Sequence, residues 1–218
     1  MSAPKPVELP MFPLESALLP NQELPLRIFE PRYGALVRHC INRGDPFGVV
    51  LISRGREVGG GDARCDVGTL ARINEHIDHG SGLYTLRCRT GERIRVCDWL
   101  TDDPYPRANV QIWPDEPGDP SKPVTESQLA EVGDRVMALF ARIATAHEMR
   151  LPSREEVLGD YQSAALDAGK RLYALASRIP IGSADRYAVL SAPSAADRLA
   201  ALREAVDSLA AVVEFQLS

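Results

Sequence analysis

The sequence lacks most of what an enzyme of nucleotides or peptides needs. It has no GxxxxGK[ST] run, so no loop is set to cradle phosphates in the P-loop manner. Lysine occurs only at Lys5, Lys122 and Lys170. Lys5 falls in a polar N-terminal arm and Lys122 in a proline-rich stretch, poor places for a desolvated base. Lys170 follows Ser163 by two helical turns, but both read as surface positions, so a Ser–Lys hydrolytic dyad is not expected. The four cysteines, Cys40, Cys65, Cys88 and Cys97, show no CxxC spacing and fit reduced structural thiols. His76 and His79 with Cys88 and Cys97 offer zinc-binding atom types. Residues three apart on a strand point to opposite faces, however, so no metal is expected. No apolar run approaches the length of a membrane span. The N-terminus has no signal-peptide apolar region, which makes the cytoplasm the expected compartment. A net charge of -5 argues against a surface that grips nucleic acid throughout. No catalytic residue and no cofactor are expected.

What the chain does have is a dense stretch from Leu9 to Arg43, LPMFPLESALLPNQELPLRIFEPRYGALVRHCINR. Leu9 to Leu14 reads as an apolar strand. Pro20-Asn21-Gln22 reads as a turn, and Leu24 to Phe29 as a second extended piece. Pro31 suits the first position of a helix, where its missing N–H is no loss. Tyr33, Leu36, Val37, Cys40 and Ile41 then recur on one helical face. Gly44 is the expected stop. Phe29, Tyr33, Leu36, Val37 and Cys40 are expected to lock this helix onto the sheet.

These residues carry a resemblance. FPL, LLP and LPLRIFEPRY, in that order, resemble the opening of the Lon N-terminal, or substrate-binding, domain family. FGVVLI (Phe47 to Ile52), VGTLARI (Val67 to Ile73), GERIRV (Gly91 to Val96) and PYPRANV (ending at Val110) follow in the family's order. Ile94 departs from it, since the family usually shows an aromatic there, but it remains an apolar strand residue. The resemblance is strong from Leu9 to Glu116 and looser beyond. It implies an α+β fold: a curled, mostly antiparallel, PUA-like β-domain with one helix, followed by a C-terminal helical bundle. It also implies a non-catalytic, polypeptide-binding module, a stand-alone member without ATPase or protease domains. The implied partners are unfolded or partly folded polypeptide and, behind it, a protease or chaperone. The PUA-like architecture carries the alternative of a binder of RNA or of a small anionic ligand.

Along the chain, residues 1–8 read as a polar arm and residues 9–113 as the β-domain. Arg54 to Asp66 is glycine-rich and reads as a hairpin connection. Val67 to Asp78 alternates, with Thr69, Ala71, Ile73 and Ile77 on one face. Leu83 to Thr90 alternates with Tyr84, Leu86 and Cys88 inward. Thr90-Gly91 reads as a break before Glu92 to Val96, and Asn109 to Trp113 as the last strand. Residues 114–123, PDEPGDPSKP, form a proline-rich linker and the expected domain boundary. Residues 124–218 read as helical. Thr125 with Gln128, and Ser194 with Asp197, are capping pairs. Further helices are expected over Ala165 to Ile179 and from a cap at Ser183 to Leu190, with a short turn after Ser153.

Two sets of charged residues are candidates for ligand binding. Alternation puts Arg87, Arg89, Arg93 and Arg95 on one sheet face as an anion-binding patch. Glu75, Glu92 and Asp98 lie beside them, and no aromatic alternates with the arginines to stack bases. Glu30 and Arg32 flank the helix start, where Glu30 suits the helix dipole and Arg32 can pair with it. If recognition uses polypeptide, the expected means is an exposed apolar patch or an open sheet edge.

Overall fold

The computed structural model describes residues 5–54, 63–159, 161 and 166–217. Its elements, in chain order, are β1 (Val7–Leu14), β2 (Glu23–Ile28), α1 (Pro31–Arg43), β3 (Phe47–Arg54), β4 (Ala63–Asp78), β5 (Tyr84–Trp99) and β6 (Arg107–Ile112). These are followed by α2 (Glu126–Ala146), α3 (Arg154–Leu158), α4 (Ala168–Arg178), α5 (Ser183–Ser191) and α6 (Ala195–Gln216). The chain divides into two compact units, Met1–Pro114 and Asp115–Ser218.

The first unit is organised by α1. Pro31 stands at its start, and Gly44 ends it in the left-handed conformation at φ 70, its N–H bonding the Cys40 carbonyl at 2.8 Å. The buried residues Tyr33, Leu36, Val37 and Cys40 form the apolar stripe. They pack on Leu24, Leu26 and Ile28 of β2 and on Tyr84, Leu86 and Cys88 of β5. Phe12 joins the same core, its ring 4.3 Å from that of Tyr33. Each fully buried aliphatic side chain in such a core is worth roughly 1.5–3 kcal/mol. Gly34 is required by a close approach: a Cβ there would lie 2.7 Å from the Gly82 carbonyl oxygen of the β4–β5 turn.

The sheet runs β2-β5-β4-β3-β1-β6, and β6 also pairs with β5. Strands β5, β4, β3, β1 and β6 therefore close into a ring, with β2 added outside on β5. All pairings are antiparallel except β1 with β3. Two cores result. Leu9, Met11, Val50, Leu70, Ile94, Val96, Ala108 and Val110 fill the ring. The core under α1 uses the other side of the same strands, through Phe12, Val49 and Ala71. The α+β class, with its curled mostly antiparallel sheet and C-terminal helices, is as the resemblance implied.

Several boundaries differ from the expectations. Val7 and Glu8 are strand, paired with Val110 and Asn109, so the arm is shorter than residues 1–8. Phe29 lies just beyond β2 and is 61% exposed, so it does not help lock α1. Arg54 ends β3, Ala63 to Asp66 begin β4, and residues 55–62 of the glycine-rich stretch lie outside the described residues. The expected break at Thr90-Gly91 is absent, because β5 runs unbroken from Tyr84 to Trp99.

The pairing of β4 with β5 explains further differences. Its register slips between Thr69 and Ala71, where β5 carries one extra residue, and between Ile73 and Glu75, where β4 does. Each slip exchanges the two faces of the strand that carries it. Leu86 and Cys88 thus face α1, whereas Ile94 and Val96, of the same parity, face the ring interior. The second slip turns Ile77 away from Ile73 and leaves it 59% exposed.

The second unit begins inside the proline-rich stretch, residues 114–123, that the sequence marks as the linker. Asp115 bonds Arg198, and the Glu116 N–H donates to the Pro193 carbonyl at 3.0 Å, so these first residues are fastened to the helices. The capping boxes of Thr125 with Gln128 and of Ser194 with Asp197 are both formed, as is one at Ser153 with Glu156. Gly182, not Ser183, occupies the N-cap of α5, and α4 starts at Ala168. Leu129, Val132, Val136, Leu172, Leu175, Leu199 and Leu202 are among the buried residues of this unit.

Candidate functional site

The four arginines do not share a face. The register slip inside β5 puts Arg87 and Arg89 on one side of the sheet and Arg93 and Arg95 on the other. Arg93 is 5% exposed. Its Nε donates to the Trp113 carbonyl at 3.0 Å and its Nη2 to the Pro114 carbonyl at 3.3 Å. The Arg93 and Arg95 guanidiniums lie 3.9 and 3.5 Å from the Trp113 ring centre. This pair fastens the end of the β6 segment, so the expected four-arginine patch is corrected to two.

Arg87 and Arg89 are exposed. Arg87 reaches Glu75 at 3.5 Å, and Arg89 donates twice to Asn21 Oδ1, at 3.0 and 2.7 Å. Both line a groove of about 330 Å³ together with Glu23, Pro25, Asn74 and Glu75. Glu30 and Arg32 lie elsewhere, at the head of α1. The Arg32 Nε donates to Glu30 Oε2 at 3.1 Å, and the guanidinium sits 4.5 Å from the Tyr33 ring centre. Glu30 makes no side-chain cap to α1. The pair is half-buried and braces the helix start.

The groove belongs to a wider face, formed where β2, β5 and β4 extend beyond the ring. Their register brings together Pro25, Arg87 and Glu75 on one rung, and Arg27, Thr85 and Ile77 on the next. One step further stand Phe29 and Leu83, 61% and 41% exposed. Arg27, Phe29, Ile77 and Leu83 stand outside the two sets of candidate ligand-binding residues named from the sequence. The alternating ELPLRI of β2 was a legible signal for Arg27, but the placement of Ile77 depended on the slip at Asn74.

The two free edges of this face, on β2 and on β4, are blunted. The Thr90 N–H bonds the Gln22 carbonyl, so β2 residues two and four further on also point their backbone at β5. Glu23, Pro25 and Arg27 then face the free edge, and Pro25 has no N–H to offer. On β4, pairing with β3 ends at Ala71, and the exposed edge beyond it carries the register irregularity.

Among the described residues, the lysine, cysteines and histidines that the sequence singles out are paired or dispersed. The Lys170 Nζ pairs with Asp167 Oδ2 at 2.9 Å, and the hydrogen bond to Asp167 raises its pKa, the opposite of what a catalytic base needs. Ser163 lies outside the described residues. Burial raises the Cys40 and Cys88 thiols to about 12. Among the described residues no group of three or more His, Cys, Asp or Glu could hold a metal ion. No helix of the described residues is long and apolar enough to cross a membrane.

Fold and site together define a two-unit protein whose first unit is a small closed barrel with an exposed face and no assembled catalytic group among the described residues. The chain belongs to the family of the ATP-dependent protease La (LON) substrate-binding domain, whose model covers residues 8–208. That domain is non-catalytic. The chain is 25% identical to Lon protease 2 of Herpetosiphon aurantiacus over 222 residues, 99% of this chain and 26% of that protein. It is 30% identical to a Lon protease of Anaeromyxobacter dehalogenans over 108 residues, 49% of this chain and 13% of that protein. A similar 30% identity over 112 residues relates it to the protein cereblon of Danio rerio, of which it covers 26%. The chain thus spans about a quarter or less of these relatives. Among solved structures, the Lon N-terminal domain protein from Xanthomonas campestris superposes with a TM-score of 0.62 at 26% identity, covering 91% of this chain and 98% of that one. The N-terminal domain of Mycobacterium avium complex Lon protease does so at 0.63 and 14% identity, over 92% and 98% of the two chains, which shows the shared fold.

Proposed function

We propose that this chain is a non-catalytic recognition module that binds unfolded or partly folded polypeptide in the cytoplasm and presents it to a protease or chaperone. The observation that carries the reading is the substrate-binding-domain family over residues 8–208. Lys170, held charged on Asp167, supports a role without hydrolysis. The alternative, a binder of RNA or of a small anionic ligand, rests on the groove beside Arg87 and Arg89. Glu23 and Glu75 line the same groove and offset those two charges, which favours polypeptide.

The test is a titration against a fluorescently labelled, reduced and carboxymethylated protein, which cannot refold. Its folded parent and a single-stranded RNA serve as comparators at low and moderate salt. Saturable binding to the unfolded chain alone is expected. Salt-sensitive retention of RNA without binding of the unfolded chain would replace this reading by the alternative.

A further inference from the structure

We infer that the solvent-facing side of β2, β5 and β4 is the docking surface, and that it takes a short extended polypeptide segment in which apolar side chains lie beside acidic ones. This rests on the polypeptide-binding reading and names its surface and the chemistry of its ligand.

At one end of the face, Phe29, Leu83 and Ile77 are 61%, 41% and 59% exposed. The register Ile28↔Tyr84 and Ile77↔Thr85 sets these three side chains around one end of β5. Large apolar groups gathered on one sheet face mark an interaction site more strongly than single ones scattered over a surface. Taken as a whole the face is basic. Arg27, Arg72, Arg87 and Arg89 stand on it, against Glu23 and Glu75. Four cations facing two carboxylates give a positive face on a chain whose net charge is -5. Arg27 and Arg72 meet no carboxylate among the described residues. Such a field attracts acidic segments and repels basic ones.

Backbone geometry selects the face over the edges. An added strand would need the N–H groups of an edge, and Pro25 on β2 and the register irregularity on β4 interrupt both. The groove between β2 and β4, about 330 Å³ in volume, runs across the face instead. The distance from Glu23 to Phe29 along β2 is about 20 Å at the usual rise of a strand, enough for roughly six residues of extended chain. Beneath, Leu24, Leu26, Leu86 and Cys88 are packed in the α1 core, so the platform is rigid.

The experiment uses the full chain and two labelled peptides. One has leucine and phenylalanine flanked by glutamate and aspartate. The other has the same apolar residues flanked by lysine. Wild type should prefer the acidic peptide. Phe29→Ser and Ile77→Thr should each weaken that binding about tenfold, as expected when a central apolar anchor is lost. Arg27→Glu should invert the preference between the peptides. Phe215→Ser, at an 85% exposed position of α6 in the other unit, should leave binding unchanged. Thermal unfolding of each variant should match wild type, because the substituted side chains are exposed. Wild type that binds neither these peptides nor an unfolded protein overturns the polypeptide reading itself. Wild type that binds, with Phe29→Ser, Ile77→Thr and Arg27→Glu all unaltered, overturns only the assignment of this face.

Discussion

Arg198 and Asp115 meet in a two-pronged ion pair, Nη1 to Oδ2 at 2.7 Å and Nη2 to Oδ1 at 2.6 Å. The Arg198 side chain is 0% exposed, and its guanidinium lies 3.7 Å from the Tyr173 ring centre. Asp115 keeps 35% of its side-chain surface in contact with solvent. The two partners are therefore not equivalent. Removing Asp115 strands a buried cation, whereas removing Arg198 leaves a carboxylate that can hydrate. Asp115→Ala is expected to cost about 3 kcal/mol, the low end for breaking a buried pair, and more than Arg198→Met. Urea denaturation of both variants measures this. Equal losses would mean that burial of Arg198 is not what makes the pair matter.

Thr90 supplies a second prediction. Its Oγ1 donates to the Leu19 carbonyl at 2.7 Å and accepts the Gln22 N–H at 2.7 Å, clasping the β1–β2 connection to β5. Thr90→Val keeps the shape and leaves both backbone groups without that partner. The expected cost is about 1–3 kcal/mol, with faster amide exchange at Gln22. A variant as stable as wild type would show that the clasp contributes nothing.

The thiols should separate by burial. Desolvation raises Cys40 to about 12, with a smaller contribution from Asp45, and raises Cys88 to about 12, with a smaller contribution from Cys40. Cys97 is exposed. Iodoacetamide at mildly alkaline pH should alkylate Cys97 in the native protein and reach Cys40 and Cys88 only in denaturant. Below the ordinary thiol pKa the folded and unfolded forms both carry these protons, and stability is unaffected. Above it the unfolded thiols ionise first, so stability should fall as pH rises toward about 12. Mass spectrometry of the native adducts and alkaline unfolding curves test the two halves separately.

At the acid end the sign reverses. The Arg171 hydrogen bond holds the Glu126 carboxyl below its usual range, and the backbone and side chain of Ser153 do so for Glu156. A lowered carboxylate pKa adds stability that is complete above the ordinary value and is lost as pH falls through the lowered one. Glu126→Gln should thus flatten the drop in unfolding midpoint between neutral and acidic pH. An unchanged pH profile would show that this pair, with Arg171 buried but Glu126 80% accessible, adds nothing.

How much could be read in advance follows from the range over which each feature is decided. Sequence by itself determined α1, from Pro31 at its head to Gly44 at its end, and the caps at Thr125 and Ser194, because these depend on residues at most a few positions apart. The family's ordered blocks likewise carried the fold class. Only the tertiary structure decided which side of the sheet each arginine faces. One extra residue in β5 and another in β4 shift the ladder, and a shift of one exchanges the faces. Local alternation therefore put Arg93 and Arg95 beside Arg87 and Arg89, and turned Ile77 inward. It also could not show that Trp113 covers Arg93, or that Arg198 would be buried against Asp115, since those partners meet only after distant segments pack. The candidate site shares this origin: Phe29, Leu83, Ile77 and Arg27 come from three strands, and their common face exists only once the strands are paired in this register.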